Sequence, residues 1–532
     1  MTRGRLKFWG WGREDVVLSA DEITRLEGAY AKRFGLSGYD VTPTPRAEDI
    51  ELRAPRISVP GALSDLCTTD HHERLVHSYG KSFFDSVRAF ARDFANPPDV
   101  IAFPRTEADV VSVLDWCDSL DAVAIPWGGG SSVVGGVEPP RTDRPVVTID
   151  LKHLDRVVEI DTTSQAARIQ GGVYGPALER QLRASGLTLR HFPQSFEFST
   201  LGGWIATRGG GHYATLYTHI DEFVENLRVV TPAGTLESFR LPGSGAGPSP
   251  DRMFIGSEGT LGIITEAWMR LRRRPTFRAN TTARFRDFYQ ATQCVRAISQ
   301  AHLYPANCRL VDADEAQVNG AGDGSQAILV ITFESADRPQ DALLQRALEL
   351  VREHGGEYDA EAIGREGAQR EGAAGQWRDA FIRMPYSREV LTPRGIIVET
   401  FETSITWDRF PDFHAQVKAE TERAIREVTG KPGLVTCRFT HVYPDGPAPY
   451  FSFHACGDRT RLTEQCWEIK IAASEVLNRL GGTITHHHAV GRDHRRWYDR
   501  QRPQLFAQAM LAAKRTLDPK GMLNPGVLFD PQ

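Results

Sequence analysis

The chain has 532 residues, enough for two or three domains with sizeable hydrophobic cores. Its formal net charge of −5 argues against a nucleic-acid-binding surface. The seven cysteines include no Cys-x-x-Cys pair, which favours reduced thiols over a disulfide framework or a zinc site. No segment approaches the ~18 apolar residues of a membrane span, and we find neither a signal peptide nor a peroxisomal signal, so we expect a cytoplasmic protein.

Residues 1–95 show the pattern of a helical and irregular N-terminal extension. Strands and helices then alternate, and we assign residues 96–275 to one domain with both element types. Its predicted strands are 100–103, 122–126, 146–151, 156–160 and 167–170, and its predicted helices are 106–120, with Thr106 as N-cap, and 175–184, stopping at Gly186.

A glycine-rich run follows the second of these strands. It reads Pro126, Trp127, Gly128, Gly129, Gly130, Ser131, Ser132. Three consecutive glycines leave the main chain bare, so its N–H groups can surround an anion while the serines add hydroxyl donors. The run lacks the lysine of a P-loop and the Gly-x-Gly-x-x-Gly spacing of a Rossmann turn. It predicts a pyrophosphate-binding loop, with an ordinary glycine-rich turn as the alternative.

Two later segments strengthen this interpretation because they join hydroxyl groups to further stretches of bare main chain. The second segment contributes Gln194, Ser195, Phe196, Glu197, Phe198, Ser199, Thr200, Thr207, Arg208, Gly209 and Gly210. The third contributes Glu258, Gly259, Thr260, Leu261, Gly262, Ile263 and Ile264.

In this order, the three segments resemble the FAD domain of the vanillyl-alcohol oxidase and p-cresol methylhydroxylase superfamily. In that superfamily the first loop holds the pyrophosphate, and the other two surround the adenine, ribitol and isoalloxazine. Some members bond the flavin covalently through a histidine or cysteine near the first loop. Neither residue type lies between Ile125 and Gly136. The resemblance therefore implies FAD that is held noncovalently.

Beyond the glycine segments, the periodicity predicts a strand–helix–strand–strand–helix–strand unit twice over, the ferredoxin-like order. The first unit comprises 281–285, 288–301, 309–311, 327–334, 339–354 and a short closing strand; the second comprises 397–403, 409–428, 434–443, 450–456, 463–480 and 483–486. We expect a cap or substrate domain over 276–490 and a C-terminal helical segment, 491–532, closing on the FAD domain. The predicted fold class is α+β: a two-part PCMH-type FAD-binding domain, a ferredoxin-like-repeat cap domain and a helical N-terminal extension.

Polar residues on the predicted cap suggest a chemistry. Tyr450 opens a predicted strand, where the pattern alone favours an aromatic core residue over a catalytic phenol. His486, His487 and His488 follow a β-branched strand, so alternation places His486 and His488 on one face. Strand geometry keeps three adjacent histidines from reaching one metal, and we predict no metal site. The pattern leaves structural and proton-transfer roles for the triplet equally open.

Over nearly its whole length the chain resembles the alkyldihydroxyacetonephosphate synthase family, which makes the ether bond of ether lipids. The matching elements are 7–12, 74–80, 98–104, the three glycine segments, 309–312, 381–383, 401–404, 436–440 and the histidine triplet. The resemblance implies exchange of the acyl group of 1-acyl-dihydroxyacetone phosphate for a long-chain alcohol. It further implies that the substrate carbon bonds transiently to flavin N5, without net redox change.

The same resemblance implies roles for individual residues. Tyr450 matches the family's catalytic tyrosine, Arg383 its substrate-anion arginine and Arg309 a second arginine needed for activity. The candidate bases for removing the alcohol proton are His486, His487, His488 and His191. An FAD-linked oxidase or dehydrogenase of a hydroxy acid or alcohol remains the alternative, and a noncatalytic flavin-binding protein is third.

The expected partners are acyl-dihydroxyacetone phosphate and a long-chain alcohol, and no nucleic acid. We also expect a homodimer. Peripheral membrane contact is a further hypothesis, with an aromatic patch formed by Phe8, Trp9, Trp11, Phe83 and Phe84, although scattered aromatic residues are more often packed or singly exposed.

Overall fold

The computed structural model describes residues 4–360 and 384–530. The predicted substrate arginine Arg383 lies outside the described residues. None of the helices in the described ranges is long and apolar enough to cross a lipid bilayer.

The N-terminal extension contains one long helix, Ala20–Phe34, with shorter helices at His71–Val76 and Phe83–Phe90. The long helix begins at a capping box between Ser19 and Glu22 and ends at Gly35, whose φ of 63° suits glycine. The hypothesis of an exposed aromatic patch is wrong. Phe8 packs into the core around Leu75, Phe83 and Phe84 pack into the cap, and Trp11 is buried against Phe198, while Trp9 is half-buried.

The predicted FAD domain contains two sheets. The first has, in spatial order, strands Cys67–Thr68, Val100–Ala102, Val146–Asp150 and Val123–Trp127, the last three parallel. Helix Glu107–Ser119 packs against it, and the predicted N-cap Thr106 accepts a hydrogen bond from the Asp109 N–H. This sheet delivers Trp127 and the glycine run that follows it to the edge of the domain.

The second sheet is antiparallel, with strands Val157–Asp161, Ala166–Gln170, Ile263–Arg270, Val224–Thr231 and Gly234–Glu237 in spatial order. Two short strands, Leu187–Thr188 and Arg272–Arg273, pair beside it. The helices of this part of the chain are Gly175–Leu182, Leu201–Thr207, Ala214–Tyr217, Ile220–Phe223 and Asp251–Phe254.

The C-terminal segment returns to this domain through helices Arg495–Gln501 and Gln504–Leu517. Leu523 forms a parallel bridge with Ala124 of the first sheet. The Asn524 side-chain amide donates to the carbonyls of Gly136 and Glu258, at 2.9 and 2.8 Å. The last residues therefore join the strand before the glycine run to the third glycine segment.

The cap is built on one seven-stranded sheet, with strands Glu357–Tyr358, Phe277–Phe285, Ala327–Ser335, Asn307–Val311, Leu434–Val442, Pro447–Cys456 and Ile396–Glu402 in spatial order. The two ferredoxin-like units lie side by side and join where Val311 pairs with Arg438. Their helices are Phe288–Gln300, Ala313–Val318, Asp341–Glu353, Phe410–Thr429 and Leu462–Arg479, with a further helical stretch at 384–391.

One predicted cap element is wrong. Residues 483–486 form no strand, so alternation does not place the histidine triplet. The main chain there curls around the carboxylate of Glu402, which accepts hydrogen bonds from the N–H groups of His486, His487 and His488. A single acceptor shared by three consecutive N–H groups requires a turn, since the N–H groups of an extended strand point alternately to opposite sides.

Candidate active site

A cavity of about 450 Å³ lies between the first two glycine segments and one face of the cap sheet. The FAD domain contributes the bare main chain of residues 128–132 and 209–211 to its wall. The cap contributes the side chains of Tyr450 and Arg309. The N-terminal helix closes one side with Leu26 and Tyr30, whose hydroxyl bonds His454 Nδ1 at 2.8 Å. Three separate parts of the chain thus build one chamber.

The first two glycine segments pack main chain to main chain. A Cβ atom on Gly129 would lie 1.7 Å from the carbonyl oxygen of Phe198, and one on Gly128 would lie 2.2 Å from Thr200 Oγ1. Gly130 adopts a φ of +65° with the Trp127 ring beneath it. Glycine is required at these positions because the second segment and Trp127 occupy the space that side chains would need.

The residues at this end of the cavity fit the pyrophosphate of FAD. The loop at 128–132 offers bare main chain, and the Thr200 hydroxyl is buried without a hydrogen-bond partner. An unsatisfied buried hydroxyl is costly, and a ligand oxygen at the wall would satisfy it. Ser132 has a different task, because its Oγ accepts from the Gly136 N–H at 3.0 Å and shapes the loop.

The structure places several predicted cofactor residues away from the cavity wall. Glu197 is exposed, and Arg208 turns its side chain toward Asp221. The aromatic rings of Trp127, Phe196 and Phe198 pack against protein. Gln194, Ser195, Ser199, Thr200, Thr207, Gly209 and Gly210 do line the cavity.

The third glycine segment supports the first loop from behind. A Cβ atom on Gly259 would lie 2.9 Å from Cγ of Pro126, so the two segments touch. The Glu258 carboxylate is buried and accepts from the Val490 and Gly491 N–H groups, each at 2.8 Å. Burial raises the pKa of Glu258 to about 7. This segment's predicted contact with FAD stays a prediction.

Tyr450 stands at the centre of the cap wall, inside its strand and not at the start of it. Its ring lies 6.0 Å from the His487 ring and 5.3 Å from the His488 ring, and both imidazoles line the cavity. The guanidinium carbon of Arg438 lies 3.9 Å from the Tyr450 ring centroid, in a cation–π contact. A phenol, two imidazoles and a guanidinium therefore meet at one wall.

Two buried arginines give this wall a positive charge. Arg438 Nη1 pairs with Glu315 Oε1 at 2.6 Å, and Arg309 lies close enough for the two cations to interact. Burial, and after it the charge of Arg438, lowers the pKa of Arg309 to about 9. Both guanidiniums stay charged at neutral pH. Two cations beside one carboxylate suit an anionic ligand.

His191 and His486, two of the predicted bases, do not line the cavity. His191 lies behind Gly209 and Gly211, its ring 5.0 Å from Trp204, and neither ring nitrogen has a hydrogen-bond partner. Burial lowers the pKa of His191 to about 3. His486 instead bonds His487 and Tyr443.

Comparison with known proteins places this geometry in a family. The family model described as FAD binding domain matches residues 98–240, and that described as FAD linked oxidases, C-terminal domain, matches residues 274–528. An alkyldihydroxyacetonephosphate synthase of Dictyostelium discoideum is 30% identical over 96% of this chain and 88% of its own. The chain belongs to the alkyldihydroxyacetonephosphate synthase family.

Two more comparisons agree with that membership. The alkyldihydroxyacetonephosphate synthase of Trypanosoma brucei brucei is 28% identical over 98% of this chain and 92% of its own. A solved structure of an alkyldihydroxyacetonephosphate synthase has 26% identity and a TM-score of 0.82, covering 98% of both chains. The predicted family, FAD cofactor and fold class are confirmed, and this member of the family is an FAD-binding flavoprotein.

Sequence reasoning missed two residues of the site. Arg438 and Glu402 stand in the segments that carried the family resemblance, but neither was assigned a role. The partners of Arg438 are Glu315 and Tyr450, and those of Glu402 are the triplet main chain and Thr485 Oγ1, at 2.5 Å. A charged residue within a largely buried strand, inside it for Arg438 and at its end for Glu402, is the signal that could have found both, because such a charge needs a partner.

Proposed function

We propose that this family member exchanges the acyl group of 1-acyl-dihydroxyacetone phosphate for a long-chain alcohol. The observation that carries the proposal is the single cavity in which the glycine loop at 128–132 faces Tyr450, His487 and two buried guanidiniums. A cofactor cradle, proton-transfer groups and an anion site are the three parts that the exchange requires.

The exchange breaks the bond between the substrate carbon and the acyl oxygen and forms one between that carbon and the alcohol oxygen. FAD, when bound, supplies the electron sink for the substrate carbon. Arg309 and Arg438 hold the phosphate or the leaving carboxylate by charge-assisted hydrogen bonds. Burial raises the pKa of Tyr450, so its phenol is protonated at neutral pH and can donate a hydrogen bond to the departing carboxylate without giving up its proton.

His487 is the base that we propose for the alcohol. Its Nδ1 lies 3.3 Å from Glu402 Oε2, while the ring faces the cavity beside Tyr450. A carboxylate at Nδ1 fixes the imidazole orientation and stabilises the imidazolium that forms when the other nitrogen takes a proton. His488 lies close enough to the same carboxylate to share this support, with its Nδ1 at 3.8 Å.

The remaining wall suits a long alkyl chain. Leu18, Leu26, Val137, Val318 and Met384 contribute apolar side chains around the cavity. Burial of each methylene group of a chain on such a wall is worth roughly 0.8 kcal/mol, which favours long substrates over short ones.

The test incubates purified holoprotein with acyl-dihydroxyacetone phosphate and labelled hexadecanol without oxygen, following ether product, released fatty acid and flavin absorbance together. We expect equal amounts of ether and fatty acid with no lasting loss of flavin colour. Lasting flavin reduction by a hydroxy acid, with no ether formed, would replace the proposal by the dehydrogenase alternative.

The assembly and location of the protein belong to the same proposal. We propose that the protein is a homodimer with a cytoplasmic location. We also propose peripheral membrane contact, because the substrates are hydrophobic. Light scattering after gel filtration tests the dimer, and flotation with phospholipid vesicles tests the membrane contact.

A further inference from the structure

A chain of hydrogen bonds leaves the cavity at His487. His487 Nδ1 contacts His486 Nδ1 at 3.0 Å, and His486 Nε2 contacts the Tyr443 hydroxyl at 2.7 Å. The same hydroxyl bonds His219 Nε2. Only His487 of these four groups lines the cavity, whereas His219 is half-buried beside the exposed Thr218. The chain thus runs from the cavity wall to a half-buried imidazole next to an exposed residue.

The proposed reaction gives such a chain a task. The alcohol loses its hydroxyl proton when its oxygen bonds to carbon, and the fatty acid departs as a carboxylate at neutral pH. One proton must therefore leave the site in each turnover. When the alkyl chains of the fatty acid and the alcohol fill the cavity, little water remains there to carry the proton.

We infer that His486, Tyr443 and His219 form a proton relay that carries the alcohol proton from His487 to the surface. The inference rests on the proposed function. In the resting direction, His487 donates to His486, His486 donates to the Tyr443 oxygen, and the Tyr443 hydroxyl donates to His219. Each of these groups can accept a proton at one atom while it gives one up at another.

Burial shifts the pKa values of the relay groups so that they pass a proton on and do not retain it. Burial raises the pKa of Tyr443, so its phenol passes protons without ionising first. Burial lowers the pKa of His219 to about 4, while the nearby Asp221 carboxylate and a hydrogen bond to the Arg208 main chain act in the opposite direction. At neutral pH His219 therefore passes on a proton that reaches it and does not retain it.

Several other charged or titratable groups face His219. They are the exposed Arg208, the buried Asp221, and the histidines His441, His486 and His487. His441 is not part of the relay, because its Nε2 contacts the Gly211 carbonyl oxygen and its Nδ1 the Thr440 hydroxyl.

These histidines also form the arrangement most similar to a metal centre. The nitrogen atoms of His219, His441 and His486 lie within 4.8 Å of one another, as do ligand atoms of Glu402, His486 and His487. The Tyr443 hydroxyl bonds two of the first three residues, so their nitrogens are engaged in hydrogen bonds. We therefore assign the group to proton transfer, and the predicted lack of a metal stays a prediction.

The experiment compares wild-type holoprotein with Tyr443→Phe and His219→Ala. The first variant keeps the ring and removes the hydroxyl that joins the two imidazoles. We expect kcat for ether formation to fall roughly 100-fold while KM for acyl-dihydroxyacetone phosphate and flavin absorbance stay unchanged. Because His219 is half-buried, His219→Ala leaves room for a small base, and added imidazole should restore most of its lost activity.

The matched control is Tyr289→Phe, which removes a hydroxyl bonded to His414 Nδ1 at 3.0 Å in the cap. Neither residue lines the cavity, and this variant should keep wild-type kcat. Flavin content and thermal melting establish that each variant folds.

Outcomes separate the relay from the proposed function. Wild-type protein that forms no ether would refute the function itself. If the wild type forms ether, then wild-type kcat in Tyr443→Phe would overturn the relay alone. Loss of activity in His219→Ala with no response to imidazole, or activity restored by zinc and abolished by a chelator, would also overturn it.

Discussion

The contact between Gly129 and the second glycine segment can be tested by adding one methyl group. In Gly129→Ala the new Cβ would lie 1.7 Å from the Phe198 carbonyl oxygen, 2.6 Å from its carbonyl carbon and 3.0 Å from Ser199 Cα. Carbon–oxygen contacts normally require about 3.3 Å, so the loop or the segment must move by about 1.6 Å. Both are main chain, and neither can relieve the clash by a rotamer change.

The displacement should weaken FAD binding strongly. Hydrogen bonds extend over a narrow range of distances, and a shift of about 1.6 Å breaks those between the loop N–H groups and a pyrophosphate. Each bond to a charged group contributes about 1.5–3 kcal/mol, so loss of two costs about 3–6 kcal/mol. Affinity for FAD should fall by a factor of roughly 100 to 20,000.

The assay measures flavin content after gel filtration and then FAD affinity by fluorescence titration of the apoprotein. The control is Gly28→Ala in the N-terminal helix, where a Cβ atom meets nothing within 4 Å. This control should bind FAD normally and gain roughly 0.5–1 kcal/mol of stability. Wild-type FAD affinity in a folded Gly129→Ala protein would refute the account of the loop.

Acid precipitation should leave the flavin in the supernatant; flavin in the pellet would show a covalent bond. Tyr450→Phe should retain flavin but lose activity by roughly 100-fold, measured as ether formation, and a small loss would assign the residue to the core. Glu402→Gln should lower kcat with flavin retained, because a neutral amide neither holds three N–H groups as strongly nor stabilises a charged His487; an unchanged kcat would contradict this. Burial lowers the pKa of His191 from 6.5 to about 3, so the unfolded state takes up a proton that the folded state refuses as the pH falls below 6.5. The wild type should therefore lose about 2 kcal/mol between about pH 6.5 and pH 5 that His191→Phe keeps, as urea unfolding at the two pH values would measure.

The sequence predicts elements whose signals are local. Helix Glu107–Ser119 begins after the predicted Thr106 cap, and the strand Val123–Trp127 leads into the glycine run as expected. Each of the three glycine segments adjoins a strand or helix of the FAD domain, namely Val123–Trp127, Leu201–Thr207 and Ile263–Arg270. Such features depend on residues within a few positions of one another.

The site depends on contacts between distant positions, which local patterns do not contain. The β-branched residues predicted a strand over 483–486 that would orient the histidine triplet by alternation, but the carboxylate that shapes the triplet lies 84 residues before His486. The ion pair of Arg438 and Glu315 spans 123 residues. The sequence indicates that the buried charges of Glu402 and Arg438 need partners, but only the fold shows which residues those partners are.

The bridge between Leu523 and Ala124 makes the support of the cofactor loop depend on residues that lie about 400 positions away in sequence. The strand before the glycine run and the third glycine segment are both tied to this stretch, through Ala124 and through Asn524. A variant shortened before Leu523 would lose both ties. We therefore expect such a variant to retain less FAD than the wild type, although none of the removed residues that the structure describes lines the cavity.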